Sequence, residues 1–179
     1  MRPKSRILKT EEVFRGPIFA VRRDFVREPN GIRATRDVVT HNGSVVVLPV
    51  FPDGRILLIR QWRHSVGEYL WELVAGRIDG GEKPLAAAKR ELLEETGYTA
   101  RRFTKLFKAY PTPGFVAEFM MVYAATGLTR GAAQPEADES IEPRAFTVRE
   151  IERMMRTGAL RDAKSIAGVL FYQRFLAKR

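Results

Sequence analysis

The 179-residue chain is 45% hydrophobic and 29% charged, a globular balance with material for a substantial core rather than a disordered chain. It has no cysteine, which excludes disulfides, thiol catalysis and thiolate metal sites and fits a reducing cytoplasm. The net charge of +10 favours anionic partners such as nucleotides and polyphosphates. The cations are scattered, however, with no basic stripe interleaved with aromatics, so a nucleic-acid surface is not expected.

The opening residues are charged and lack the apolar core of a secretory leader. The longest apolar run, Val45 to Phe51, is too short to cross a bilayer. Strands are predicted over 18–27 and 32–40, flanking the hairpin dipeptide Asn30-Gly31. A turn at His41-Asn42-Gly43 precedes strands over 44–51 and 55–63, which flank Pro52-Asp53-Gly54. Residues 69–75 read as a short strand ending at Gly76. Pro84 to Thr96 is rich in Ala, Leu, Glu and Lys and reads as a helix, opened by Pro84 and closed by Gly97.

Strands over about 102–110 and 115–125 follow, joined by Pro111-Thr112-Pro113-Gly114. Residues 127–140 read as an acidic loop, then a strand near 141–147. A helix over about 148–156 ends before Gly158. A last helix runs from about Asp162, as cap, to Lys178, with Ile166, Val169, Leu170 and Leu176 as its expected buried positions. Strands interleaved with few helices predict a mixed sheet with helices on its faces. His41 and His64 are the only histidines and are expected to be structural or exposed.

The chemistry concentrates between Gly76 and Tyr98. Glu91, Glu94 and Glu95 stand at i, i+3 and i+4, on one side of the predicted helix, and Glu82 lies just before it. Like charges at this spacing repel, so a compensating charge is expected. A hard divalent cation is the natural one, because Mg²⁺ takes oxygen ligands and keeps positions for water and phosphate. The alternative is an exposed helix with solvated acids and Arg90 paired to Glu94.

The whole segment decides between the two. Gly76, Glu82, Arg90, Glu91, Leu92, Glu94, Glu95, Gly97 and Tyr98 stand where the Nudix box has its fixed residues, with Tyr98 where an aliphatic is commoner. A chance match is on the order of 10⁻⁷ for such a chain. The chain therefore resembles the Nudix hydrolases. The resemblance implies an α/β (α+β) fold: an α/β/α sandwich with a mixed sheet and an N-terminal antiparallel β arm. It implies Mg²⁺, with Mn²⁺ as substitute. Glu91 and Glu95 would be the main metal ligands and Glu94 a ligand or a partner of one. The carbonyl of Ala75 or Gly76 could also ligate. Arg90 would orient the glutamates, and Glu82 would buttress the loop or touch a metal through water.

Features outside the box resemble the ADP-ribose pyrophosphatase branch. Pro113 lies sixteen residues past Gly97. Gln61-Trp62-Arg63 and Trp71-Glu72-Leu73-Val74-Ala75-Gly76 resemble the strand pair that leads into the box, and Gly158 to Gly168 resembles the closing helix. By that resemblance Arg63 binds a substrate phosphate, Glu72 positions substrate or water, and Pro113 lies at the substrate. Residues 1–40 form an arm exchanged between two subunits and 41–179 the hydrolase domain, in a homodimer. Phe19 and Phe25 are candidates for stacking on adenine, against a packing role. The loop acids Glu136, Asp138, Glu139 and Glu142 supply the general base, and the Glu-x-x-Glu order favours Glu139. The expected reaction converts ADP-ribose to AMP and ribose 5-phosphate. Hydrolysis of another nucleoside diphosphate sugar such as GDP-mannose, removal of pyrophosphate from RNA 5′ ends, and nucleotide sensing without catalysis are the alternatives.

Overall fold

The computed structural model describes residues 3–131 and 140–177. The chain forms two compact units. One gathers the chain up to Gly43 with Tyr110–Phe119; the other gathers Ser44–Ala109 with the chain from Met120 onward. Among the described residues no helix is long and apolar enough to cross a membrane.

The first unit is a three-stranded antiparallel sheet in the order β1 (Arg6–Arg15), β2 (Ala20–Arg27) and β3 (Arg33–Thr40). The hairpin predicted at Asn30-Gly31 joins β2 to β3, with Gly31 in the left-handed region at φ 86°. β1 escaped the sequence reading. Its charges and apolar residues fall on both faces, so it carries no clean period-2 signal, and all ten residues are exposed. Phe19 is exposed and tilts against Phe14, with ring centroids 5.6 Å apart; Phe25 is half-buried.

The second unit is built on a mixed sheet. β4 (Ser44–Val50) runs parallel to β9 (Met120–Arg130), whereas β5 (Ile56–Arg63), β8 (Tyr98–Ala109) and β10 (Ile141–Phe146) join antiparallel, in the order β10-β5-β4-β9-β8. β4 is buried from Val45 onward on both faces, as an internal strand covered on both sides must be. Val46, Leu48, Ile56, Leu58, Val122 and Phe146 form one core with Ile151 and Met154 of α2 (Val148–Thr157) and Val169 of α3 (Ala163–Phe175). Alternate residues of β4 and β5 point the other way, toward α1 (Pro84–Thr96), which packs on β4. The result is the expected α/β/α sandwich with an antiparallel N-terminal sheet.

β4 and β5 pair only at Val50 and Ile56 and then part. The predicted strand 69–75 fills the gap as two strands: β6 (Glu68–Glu72) pairs with β5 and β7 (Val74–Arg77) pairs with β4. The switch falls at Leu73, whose amide donates to Ser165 Oγ at 2.6 Å. A donor lost from the ladder is thereby satisfied in the buried core.

Three other expectations shift. The strand set at 115–125 begins only at Met120, because Phe115–Phe119 belongs to the first unit, where Val39 bridges Val116. The region 127–140 is not all loop, since β9 continues to Arg130 and Gly127, at φ 69°, passes over Arg101. Leu170 of α3 and Leu176 just past its end are exposed, while Ser165, Gly168 and Val169 are buried. A methyl group on Gly168 would come within 2.8 Å of Leu73 Cδ1, so the helix meets the sheet on its small residues rather than its leucines.

Candidate active site

α1 forms where the sequence places it. Pro84 occupies the first turn, and Gly97, at φ 72°, closes the helix by donating its amide to Leu93 O. Its buried residues are Ala87, Ala88, Glu91, Leu92, Glu95 and Thr96, an i, i+4 stripe toward β7 and β4. Two of the box carboxylates thus lie on the inward face, which is costly unless something polar receives them.

The backbone of β7 receives Glu95 and lies against Glu91, which Arg90 receives. Glu95 Oε2 accepts the Ala75 amide at 3.3 Å. The Glu91 carboxylate lies directly over Gly76, where a Cβ would stand 1.9 Å from its Cδ. A side chain there would have to displace the Glu91 carboxylate, so the constraint on this glycine is space rather than backbone angle.

Arg90 organises the remaining acids. Its Nη1 donates to Glu91 at 2.7 Å and to Glu94 at 2.9 Å; its Nε and Nη2 grip Glu82 at 3.2 and 3.1 Å; and Nη2 also reaches the Arg77 carbonyl at 3.0 Å. The hydrogen bonds it donates to Glu82, with the neighbouring charges, push the Arg90 pKa further up. Arg90 in turn holds Glu82 below the usual carboxylate range, helped by the Asp79 amide at 3.2 Å. Glu82 therefore ties the loop to the helix.

The donor set can be tested against a metal. Among the described residues, no three acids or histidines stand close enough to enclose an ion by themselves. Glu82 and Glu94 are turned toward Arg90. Glu91 and Glu95 converge on Ala75–Gly76 from the buried side. Two carboxylates gathered at the Ala75–Gly76 backbone, a set of oxygen donors, fit Mg²⁺ or Mn²⁺, which bind through one or two carboxylates and leave positions to water and phosphate. They do not fit a closed zinc cage.

Beside β7 lies a second charged group. Arg63, at the end of β5, forks onto Glu72 with Nε and Nη2 at 2.6 and 2.7 Å. Lys164 reaches the same carboxylate from α3. Burial pushes Glu72 up, but the Arg63 hydrogen bonds and the Lys164 charge hold it below the ordinary value. Asp162 caps α3 by accepting the Ser165 amide at 3.0 Å and the Ser165 hydroxyl. Arg63 and Glu72 thus stand together, but Glu72 is buried with both oxygens taken by Arg63 and Lys164, so it faces these cations rather than substrate or water. Lys164 and Ser165, in the closing-helix segment, carry no local sequence signal beyond the Asp162 cap, because their partners Glu72 and Leu73 stand 92 residues away.

The other expected residues lie elsewhere. Pro113 is in an exposed turn of the first unit. Glu142 is on β10, opposite Arg60 at 4.0 Å. Glu136, Asp138 and Glu139, the last of them the expected base, lie outside the described residues. His64 is exposed. His41 Nδ1 accepts the Gly43 amide at 3.1 Å and lies 3.7 Å from Glu118, a structural role within the first unit.

Residues 40–169 match the family model of the NUDIX domain, and residues 6–39 match that of the nucleoside diphosphate sugar hydrolase N-terminal domain. An ADP-ribose pyrophosphatase of Mycobacterium tuberculosis is 40% identical over 167 residues, covering 91% of this chain and 80% of that one. A GDP-mannose pyrophosphatase of Yersinia pestis is 31% identical over 149 residues, covering 78% and 75%. The crystal structure of an ADP compounds hydrolase superposes with a TM-score of 0.87 over 98% of this chain and 96% of the other, at 24% identity, which speaks for the fold.

Proposed function

The chain belongs to the NUDIX domain family, and from that premise we propose that it hydrolyses the diphosphate bond of nucleoside diphosphate sugars, ADP-ribose first among them, giving AMP and ribose 5-phosphate. The observation that carries the chemistry is the convergence of Glu91 and Glu95 on the Ala75–Gly76 backbone. The preference for ADP-ribose rests on the higher identity and wider coverage of the ADP-ribose pyrophosphatase relative.

Glu91 and Glu95, with the carbonyl of Ala75 or Gly76, would hold Mg²⁺ or Mn²⁺, which supplies a Lewis acid for the diphosphate and an activated water. Arg90 fixes the rotamers of Glu91 and Glu94 and neutralises part of their charge. Glu82 holds the loop before α1 through Arg90 and the Asp79 amide. Arg63, steadied by Glu72, binds a substrate phosphate; a guanidinium suits that geometry because it can donate two parallel bonds. Pro113 lies against substrate, and Glu139 takes the proton from the attacking water. If Glu139→Gln turns over within a few-fold of wild type, another group is the base, because losing a general base costs roughly 10²–10⁴ in rate.

The arm (1–40) and the hydrolase domain (41–179) assemble with a second copy as a homodimer. β1 supports this reading: Ile7, Leu8, Val13 and Phe14 are all exposed on it, and large apolar side chains gathered on one exposed strand suit an interaction surface. A cytoplasmic location belongs to the same reading, and a chain without cysteine fits that reducing compartment.

A substrate panel with purified protein and Mg²⁺ tests the reading: ADP-ribose, GDP-mannose, other diphosphate sugars, NADH, diadenosine polyphosphates and triphosphorylated RNA, with products resolved. Preferential conversion of ADP-ribose to AMP and ribose 5-phosphate is the expected outcome. Preference for another compound overturns the substrate, and turnover of none overturns the enzyme.

A further inference from the structure

Glu72 is 1% exposed, and a carboxylate so placed stays ionised only if cations and donors replace its water. Both of its oxygens are used. Oε1 accepts Arg63 Nε; Oε2 accepts Arg63 Nη2 and Lys164 Nζ. Lys164 is itself held from behind by Asp162 Oδ1 at 3.0 Å, and Asp162 is fixed by its capping bonds to Ser165. The chain of contacts therefore runs Ser165, Asp162, Lys164, Glu72, Arg63, from the first turn of α3 to the end of β5.

The guanidinium at the end of this chain is half committed. Its Nε and Nη2 edge lies on Glu72, while Nη1 has no partner among the described residues and the side chain is 36% exposed. A guanidinium gripped along one edge presents the other in a fixed plane, which is what bidentate phosphate recognition needs. Were Glu72 held by Arg63 alone, its buried Oε2 would lose a charged donor. The carboxylate could then turn, and the arginine would turn with it.

We infer that Lys164 is a positioning residue for phosphate recognition: by locking Glu72 it sets the plane of Arg63 and leaves the Nη1 edge free for a substrate phosphate. The inference rests on the proposed function only in that Arg63 meets the substrate. It gives the Asp162-Ala163-Lys164-Ser165 turn a task at the substrate rather than in the core alone.

The test compares wild type, Lys164→Met and Lys164→Arg on the preferred substrate of the panel. Thermal melts are run on the same samples, and ADP-ribose binding is followed by calorimetry in EDTA, which reads affinity without turnover. Lys164→Met should raise KM and weaken ADP-ribose binding about 10-fold, with kcat within a few-fold. Lys164→Arg should recover most of the loss, because it restores a cation on Oε2. A Lys164→Met protein that melts lower but keeps wild-type KM and affinity overturns the inference and leaves the enzyme reading intact. Wild-type protein that binds no ADP-ribose and turns over no member of the panel overturns both.

Discussion

A methyl group on Gly76 would fall 1.9 Å from the carboxyl carbon of Glu91; the two residues share one space, and only the absence of a side chain on the first lets the second lie where it does. Gly76→Ala therefore has to push Glu91 off β7. A displacement of about 1 Å at a reacting centre is enough to cost roughly 10²-fold in rate. Turnover with Mg²⁺ should fall by at least that much while the far-ultraviolet dichroism stays that of wild type. Near-normal turnover would mean that Glu91 acts from some other position.

Glu91→Gln and Glu95→Gln each remove one carboxylate charge from the inward face of α1 without changing its shape. Both should lower turnover by about 10²-fold or more and raise the Mg²⁺ concentration for half-maximal rate, since losing even an outer partner of a metal ligand costs 10–100-fold. EDTA should abolish wild-type activity and excess Mg²⁺ restore it. Full activity of both variants sinks the metal assignment.

The pH dependence of stability carries a sign that can be worked out at Glu72. Burial raises its pKa, but the Arg63 hydrogen bonds and Lys164 outweigh it, so the folded value lies below the ordinary 4.5. A folded pKa below the unfolded one stabilises the native state at pH above the unfolded value, and that stability is lost as pH falls through the folded value. The melting temperature of wild type should drop as pH goes from about 5 to 3, and Glu72→Gln should show a shallower drop. Equal slopes would show that the clamp on Glu72 gives no net stabilisation of its ionised form.

The exposed apolar residues of β1 predict association. Light scattering after size exclusion should give the mass of two chains. Replacing Val13 and Phe14 together by Lys and Glu should shift the mass toward one chain, since charges on an edge or face discourage pairing. A single-chain mass for wild type ends the dimer reading.

Much of this molecule was legible in its sequence, and the reason differs by element. α1 was readable to the residue because Pro84, Gly97 and the spacing of Glu91 and Glu95 are local signals. The hairpin at Asn30-Gly31 was readable for the same reason. β1 was not, since its apolar residues alternate with charges on both faces. The split of 69–75 into β6 and β7 was invisible because nothing in that run marks Leu73; the break depends on the divergence of β4 from β5. The site divides the same way. Arg90 and its glutamates lie close together in sequence. The grip of Lys164 on Glu72 joins residues 92 apart, and only the tertiary fold reveals it.

The bond from the Leu73 amide to Ser165 Oγ spans the same separation, whereas Arg90 and Glu82 are only 8 residues apart. The two halves of the site therefore mature on different schedules during synthesis. The loop and helix that carry the glutamates can close as soon as they leave the ribosome. The crossing that brings β7 beneath them gains its bond to Ser165 only once that residue has been added, a non-local contact whose loop-closure entropy slows its formation. A nascent chain arrested before α3 would carry the whole glutamate motif and still lack the hydroxyl that seats the strand beneath it.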